Sequence, residues 1–577
     1  AKKANEDSAE LVAPLQALVE KYVARFLEFK RVNCTEMTPT SQLSCVISMC
    51  KLFDALATEK NGIVPSSENF SKLMEMWFMY CVAWTLGGGV DEASRKKLDG
   101  LIREIESGLP GKLTIYDYFV DVQKMQWTTW EEGKVSAKPW RPAADTPFFK
   151  LMVPTVDSAR NTFLVNVLLR SQRDIIISGP VGCGKTSLLQ QVLGGLPQET
   201  MMTLGMQFSA QTSANRVQDI IEASVEKRTK DTYAPPAGKK MVVFVDDMNM
   251  PQKDTFGSMP PLELLKLWME YGFWYDRLKQ LKRYIKDCSV LGAVGPPGGG
   301  RSFLPQRFQS KFHTINFTFP DETQVRRIFG SLVNMKLQNF GDEVKPLGDM
   351  MTTATIEIYN LISTELLPTP AKTHYVFNMR DLSRVFQGVL RADQQFVDSR
   401  DAMLRLWVHE CFRVFHDRLI DDTDRKWFTK AMDDKLNSIF QTSWNQTFSA
   451  PGNQVCMFAD FLRTGYDPPP YEEVLDEAAL KSFAEEKLEE YNYEPGFVPM
   501  HLVLFRDALG HLCRISRVIK LPRGHCLLVG VGGSGRQSLS RLAAYIAEYK
   551  VFMIEITKTY RALEFKEDLK KLYEMSG

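Results

Sequence analysis

The segment Gly179-Pro180-Val181-Gly182-Cys183-Gly184-Lys185-Thr186 has the spacing GxxxxGK[ST]. Glycines at these positions let backbone N–H groups curl around phosphate oxygens, an approach that a Cβ would obstruct. Lys185 then supplies a cation to the β- and γ-phosphates, and the Thr186 hydroxyl is a ligand for Mg²⁺. The helix expected from Ser187 to Leu193 aims its N-terminal dipole at the same phosphates. A second acidic element belongs with this loop. Met241 to Val245 is an apolar run that ends in Asp246 and Asp247. Asp246 is placed to hold Mg²⁺, directly or through water. Nearby Asn249 either positions a water or caps the following turn.

These residues need a scaffold. Ile175-Ile176-Ile177 predicts a strand leading into the glycine loop, and residues 155–320 alternate apolar strands with amphipathic helices, the pattern of a parallel α/β layer. Residues 1–60 predict two amphipathic helices broken at Thr38-Pro39-Thr40, and a third, apolar helix runs from Leu73 to Leu86 and stops at Gly87. The stretch 136–154, rich in Pro and aromatics (Pro139, Trp140, Pro142), reads as a boundary. Residues 320–450 are helical by period, and Asp467-Pro468-Pro469-Pro470 breaks the chain again. Leu11, Leu15, Leu18, Tyr22 and Phe26 begin the chain inside a helical pattern, so a piece of something longer is expected.

A second strand–loop–helix unit repeats the first. Leu527-Leu528-Val529 predicts a strand, followed by Gly530-Val531-Gly532-Gly533-Ser534-Gly535-Arg536-Gln537-Ser538. Arg536 stands where the lysine would be, and Gln537 where a magnesium-binding hydroxyl would be. The backbone can still cradle phosphates and Arg536 can still supply charge, so binding without hydrolysis is expected.

Composition narrows the classes. Among 577 residues, 71 Lys and Arg face 70 Asp and Glu, for a net charge of +1. A chain built for a nucleic-acid backbone usually carries a basic excess. The basic run Arg277, Lys279, Lys282, Arg283 and Lys286 reads as a solvated hairpin. Ten cysteines and seven histidines show no metal-ligand spacing, and no uncharged apolar run reaches the length of a membrane span. His409 and His416 read as structural, and Trp127, Trp130 and Trp140 as packing at a domain junction.

At this point the chain resembles the axonemal dynein heavy chains. The resemblance is carried by Pro147 to Asp157, GPVGCGKT, VFVDDMNMP (243–251), GPPGGGR (295–301), LPQRF (304–308), FNMRDLSRVFQG (377–388) and LLVGVGGSGRQSLSRLAA (527–544). It implies AAA+ P-loop modules, each an αβα large domain with a helical small domain, within a six-module ring. In that register residues 1–62 are the small domain of the second module. Residues 63–320 and 321–450 are the large and small domains of the third, and 451–577 open the fourth.

The same resemblance implies ATP or ADP with Mg²⁺ as ligands and further roles by position. Val153 and Pro154 fold over the adenine. Arg307 is an arginine finger reaching the preceding module's nucleotide, and Arg380 a small-domain sensor on this module's γ-phosphate. Fingers in other NTPases contribute about 10³–10⁵ in rate. Asp247 departs from the Glu usual in AAA+ sites. Its side chain is shorter by one bond of about 1.5 Å, and a misplacement of about 1 Å can cost about 10²-fold. Gly295 departs too, standing where many AAA+ proteins carry a polar sensor. Tight binding with slow hydrolysis, a regulatory switch, is therefore expected.

For the whole protein the resemblance implies an ATP-dependent, minus-end-directed motor of cilia and flagella, located on the axonemal cytoskeleton. Microtubules would be engaged through parts outside this segment. Intermediate and light chains, other heavy chains and the other ring modules would be partners; nucleic acid and membrane would not. Two alternatives stay open: a fully active third-module ATPase, and an AAA+ remodeller of nucleic acid.

Overall fold

The computed structural model describes residues 2–576 except 65–66, 107, 137–139, 144–145, 449–455, 464 and 467. Pro139 and Asp467, read as chain breaks, and the boundary at 450–451 lie outside the described residues. The chain forms two units, one of residues 1–146 with 150–328, the other of 147–149 with 329–577.

The first unit opens with helices α1 (Lys2–Asn33), α2 (Gln42–Leu56), α3 (Phe70–Leu86) and α4 (Glu92–Ile105). Ser41 caps α2 and Asp91 caps α4, each accepting from a backbone N–H three residues on. From Met76 to Leu86 the helix α3 is buried all round and almost wholly apolar. A hairpin of β1 (Tyr118–Asp121) and β2 (Gln126–Thr129) follows, then α5 (Val156–Arg170), begun by a Thr155–Ser158 capping box. Trp130 is buried against Phe119 and Phe163, inside this unit.

Next come β3 (Ile175–Ser178), α6 (Lys185–Gly194), β4 (Met201–Gln207), α7 (Ala214–Glu222), β5 (Glu226–Lys227), β6 (Thr232–Ala234), β7 (Lys240–Asp246), α8 (Pro260–Tyr271), β8 (Phe273–Tyr275), β9 (Lys282–Ile285), β10 (Cys288–Val294), α9 (Gln306–Gln309) and β11 (His313–Asn316). Five strands form one parallel sheet in the order β11-β3-β10-β7-β4. The near-continuous apolar runs of β3, β7 and β10 fit a sheet covered on both faces, whereas the edge strands β4 and β11 carry polar residues. Alternate residues divide between two cores. Ile175, Ile177, Val242, Phe244, Leu291 and Ala293 face a cluster that also takes residues from α1 to α6. Ile176, Met241, Val243, Val245, Val290 and Val294 face another with residues of α7 and α8. Helices on both sides of residue 62 therefore share one core.

The basic run lies on and beside an antiparallel β8–β9 hairpin within a separate four-stranded sheet. Arg277 pairs with Asp219, and Arg283 with Glu222 and Asp276.

The second unit is helical: α10 (Glu322–Leu337), which starts in the first unit, α11 (Leu347–Glu365), α12 (Met379–Val389), α13 (Arg400–Val414), α14 (Asp422–Phe440) and α15 (Trp444–Thr447). Trp407, fully buried, donates its indole N–H to Thr355 Oγ1 at 2.8 Å and so ties α13 to α11. A small pair, β12 (Phe458–Ala459) and β13 (Glu472–Glu473), precedes α16 (Glu477–Tyr493), α17 (Arg506–Ile519), α18 (Arg536–Ile546) and α19 (Ala562–Ser576). Leu480, Ala484, Leu509, Leu512, Leu539 and Leu542 form the core of α16 to α18. His409 is buried on α13 with Nδ1 2.9 Å from Cys456 O, a structural placement.

The strand expected at 527–529 does not form. Leu527, Val529 and Val531 are 88%, 87% and 79% exposed. A strand exists only with a hydrogen-bonded neighbour, and none of the described strands pairs there. Among the described residues no helix is long and apolar enough to cross a membrane.

Candidate functional site

The first glycine loop leaves the carboxyl end of β3 and is fixed from the neighbouring strand. Phe317 N–H donates to Ser178 O at 2.7 Å, and the Ser178 hydroxyl donates to Asn316 Oδ1 at 3.1 Å. Asn316 is held in turn by its Nδ2 on Val90 O at 3.1 Å. The buried Arg95, stacked 5.3 Å from the centres of both Trp84 and Tyr116, donates to Asn316 O. A Cβ at Gly179 would meet Phe317 O at 2.6 Å, so the loop passes this strand closer than any side chain permits.

Gly182 and Gly184 take φ of 80° and 84°, and Gly184 is the N-cap of α6, which begins at Lys185, two residues earlier than expected. First-turn amides of α6 and the loop backbone thus form one concave donor surface. Lys185 Nζ donates to Gly179 O at 2.8 Å and to Pro180 O at 2.7 Å. Burial pushes its ammonium below the ordinary lysine range, with the nearby Arg301 charge acting in the same direction. A desolvated cation served by carbonyls is stabilised by an anion at this position. Phosphate fits.

Magnesium fits as well. Thr186 Oγ1 donates to Asp246 Oδ2 at 2.9 Å, so the hydroxyl and the carboxylate that would hold the ion already share one place. No group of three His, Cys, Asp or Glu suited to a metal occurs among the described residues. The paired Thr186 hydroxyl and Asp246 carboxylate suit Mg²⁺, which takes one or two protein oxygens and completes its shell with phosphate and water. When bound, the ion neutralises charge on the phosphates.

Asp247 follows on β7 with φ of 51°, in the left-handed region that Asp tolerates better than most residues. Its backbone N–H donates to Asp246 Oδ1 at 3.1 Å, and its Oδ1 accepts from Arg301 Nη2 at 3.0 Å. Asn249 braces a neighbouring segment through its amide nitrogen, while its Oδ1 is buried without a partner. The residue is buried and its Nδ2 donates to Gly295 O at 2.9 Å and Ser302 O at 3.2 Å, bracing the exit of β10.

The structure therefore gathers Lys185, Thr186, Asp246 and Asp247, with Ser187 next in α6. Val153 is buried and Pro154 half-buried, immediately ahead of the α5 cap. Arg307, on α9, is 59% exposed at its side chain and pairs with Glu263 of α8 at 2.6 Å, a surface ion pair. Arg380 is an exposed residue in the first turn of α12, on the second unit. Gly533 and Gly535 of the second loop take φ of 78° and 77°, α18 starts at Arg536, and Arg536 Nη2 donates to Val531 O at 3.2 Å. Gln537 and Ser538 lie in the first turn of that helix, beside the loop residues Gly530, Gly532 and Ser534.

Arg301 was missed. The signal was present in the glycine triplet 298–300, which allows a reversal tight enough to return the next side chain to the strand end.

Comparison with known proteins follows the same outline. Residues 140–320 match the family model described as P-loop containing dynein motor region, and 500–577 match P-loop containing dynein motor region D4. Residues 15–132 match the dynein heavy chain AAA lid domain, and 351–446 an AAA+ lid domain. The chain is 49% identical over 98% of its length to dynein axonemal heavy chain 2 of Mus musculus. It is 47% identical over 99% to the dynein-1-beta heavy chain of the flagellar inner arm I1 complex of Chlamydomonas reinhardtii. Against dynein axonemal heavy chain 6 of Homo sapiens it is 35% identical over 100%. It spans 13%, 13% and 14% of those relatives' lengths respectively. With a parallel P-loop sheet, helical lids and this likeness throughout, the chain belongs to the axonemal dynein heavy chains, as a stretch of their AAA+ motor region.

Proposed function

We propose that this segment supplies a regulatory nucleotide site to an ATP-driven microtubule motor of the axoneme. The observation that carries the reading is the convergence of Lys185, Thr186 and Asp246, with Thr186 Oγ1 2.9 Å from Asp246 Oδ2, at the carboxyl ends of β3 and β7. ATP or ADP with Mg²⁺ is the ligand that this donor set suits. In the proposed register residues 1–62 close a second module, 63–320 and 321–450 form the third, and 451–577 open the fourth.

The site senses nucleotide and hydrolyses it slowly. Asp247 is a short base, and without nucleotide it is held in an ion pair with Arg301. Val153 and Pro154 line the adenine, Arg380 reads the γ-phosphate from the small domain, and Arg307 serves the preceding module in trans. Small-domain rotation then passes the nucleotide state to the rest of the ring. The second loop binds nucleotide through its backbone and Arg536 without hydrolysis. Within the whole heavy chain, minus-end-directed movement on microtubules, with intermediate and light chains and other heavy chains as partners in cilia and flagella, is the activity this site would gate. The names of the axonemal and flagellar relatives support that setting.

The test uses a full-length heavy chain whose principal ATPase module is disabled. It is loaded with labelled ATP, stripped of free nucleotide, and compared with its Lys185→Ala counterpart. Retained ATP that depends on Lys185 and persists for minutes supports a sensing site. Retained ADP that depends on Lys185 makes this a working ATPase and overturns the regulatory reading. Equal retention in both proteins removes the site.

A further inference from the structure

The strand β10 lies between β3 and β7 in the parallel sheet, so the chain leaving Val294 passes between the glycine loop and the acidic pair. Position 295 is Gly, and on sequence alone this reads as a sensor lost. The space is nonetheless filled. A Cβ on Gly295 would lie 2.9 Å from Arg301 Nε, 3.0 Å from its Cδ and 3.4 Å from its Cζ. The side chain of Arg301 occupies the room that a side chain at 295 would take.

Two devices hold it there. Gly298 and Arg301 exchange backbone hydrogen bonds of 2.9 and 3.1 Å across a turn whose glycines, 298 to 300, have φ of 113°, 57° and 89°. Asn249 then clamps both ends of the segment, through Gly295 O and Ser302 O, and accepts from Ser302 N–H at 3.0 Å. The guanidinium so placed donates one N–H to Asp247, while its Nε is buried without a partner. Arg301 is thus held at the exit of β10, the strand between the glycine loop's strand β3 and the Asp247 strand β7, with a buried donor unspent that an anion in the loop would satisfy.

We infer that Arg301 reads the terminal phosphate of ATP at this site, in the role that a polar residue at 295 would otherwise fill. The inference rests on the proposed nucleotide site. Arg301 exchanges its pair with Asp247 for the γ-phosphate, so ATP releases the Asp247 carboxylate and ADP leaves it tied to the guanidinium. One arginine thereby both recognises ATP and withholds the base in its absence.

The experiment measures equilibrium binding of labelled ATPγS and ADP to the full-length heavy chain, each taken as the part abolished by Lys185→Ala. Removing a charge-assisted contact to phosphate at Arg301→Ala should weaken ATPγS by about tenfold to a hundredfold. ADP should stay within about twofold. Arg301→Lys, which keeps the charge without the fork, should recover part of the loss. Gly295→Ala, which leaves Arg301 in the chain but displaces its side chain, should weaken ATPγS without weakening ADP. If Arg301→Ala weakens both nucleotides equally, or neither, Arg301 is only a brace and the inference fails while the site stands. If the unsubstituted chain shows no Lys185-dependent binding of either nucleotide, both fail.

Discussion

In the second unit, Glu410 of α13 is 0% exposed and Arg517 of α17 is 7% exposed. Arg517 Nε donates to Glu410 Oε1 at 3.1 Å, its Nη2 donates to Oε2, and the Tyr471 hydroxyl donates to Oε1 at 2.8 Å. This ion pair ties the helical lid to the bundle that carries the second glycine loop. Replacing one partner by Met strands a buried charge, which costs about 3–5 kcal/mol. Replacing both removes the pair and its desolvation together, leaving chiefly an unpaired Tyr471 hydroxyl worth about 1–3 kcal/mol. Glu410→Met and Arg517→Met should therefore each be worse than the double variant, with a coupling of at least about 3 kcal/mol. Gly388→Ala should act like Glu410→Met without changing any charge, because its Cβ would meet Glu410 Oε2 at 1.7 Å. A large chain need not unfold in one step, so the assay is native-state hydrogen exchange of α13 and α17 peptides, read as local opening free energies. Single losses below about 1 kcal/mol would refute the reasoning. So would a double variant equal to the sum of its parts within about 0.5 kcal/mol.

Two further outcomes are expected. Burial pushes the Asp174 carboxyl up to about 6, against partial relief from the Val290 N–H and the charges of Lys51 and Arg173. Stability tied to its neutral form is full below about pH 4 and is lost as pH rises through about 6. Asp174→Asn keeps the acceptor for Val290, so it should exceed the unsubstituted chain by at most about 3 kcal/mol above pH 7 and match it below pH 4. Denaturant titrations across that range check this, and a pH-independent difference would contradict it. Asp247→Glu should raise Lys185-dependent turnover by up to about 10²-fold, while losing about 1 kcal/mol because φ of 51° suits Glu less well. Single-turnover hydrolysis reads the gain, and unchanged turnover would show that side-chain length is not what slows the site.

The inner strands β3 and β7 were legible because each obeys a local rule. Ile175 to Ile177 and Met241 to Val245 are continuous apolar runs, and in a parallel sheet buried on both faces nothing else is required of them. Lys185, Thr186 and Asp246 were legible because their spacing is itself the chemistry. The residues that escaped act across long separations. Arg95 reaching Asn316, Asn249 bracing Gly295, and Glu410 meeting Arg517 are contacts between charged or polar groups that no periodicity places. The run 527–529 failed for the opposite reason: its residues favour a strand, but a strand is a property of a pair. Arg301 is intermediate, since Gly298 to Gly300 announce a reversal without saying what it returns to.

The exposed run Leu527 to Val531 has a consequence for handling the chain. Val551 to Ile556 likewise belongs to no helix or strand, with Val551, Met553, Ile554 and Ile556 exposed. Both are short, apolar, rich in branched side chains, and nearly free of charge, which is the profile of segments that recruit one another into intermolecular β-structure. Expressed as it stands, this polypeptide carries two adhesive strips beside its second glycine loop. Charged substitutions at Val529 and Ile554, both outside every core described here, are where a soluble version would be sought.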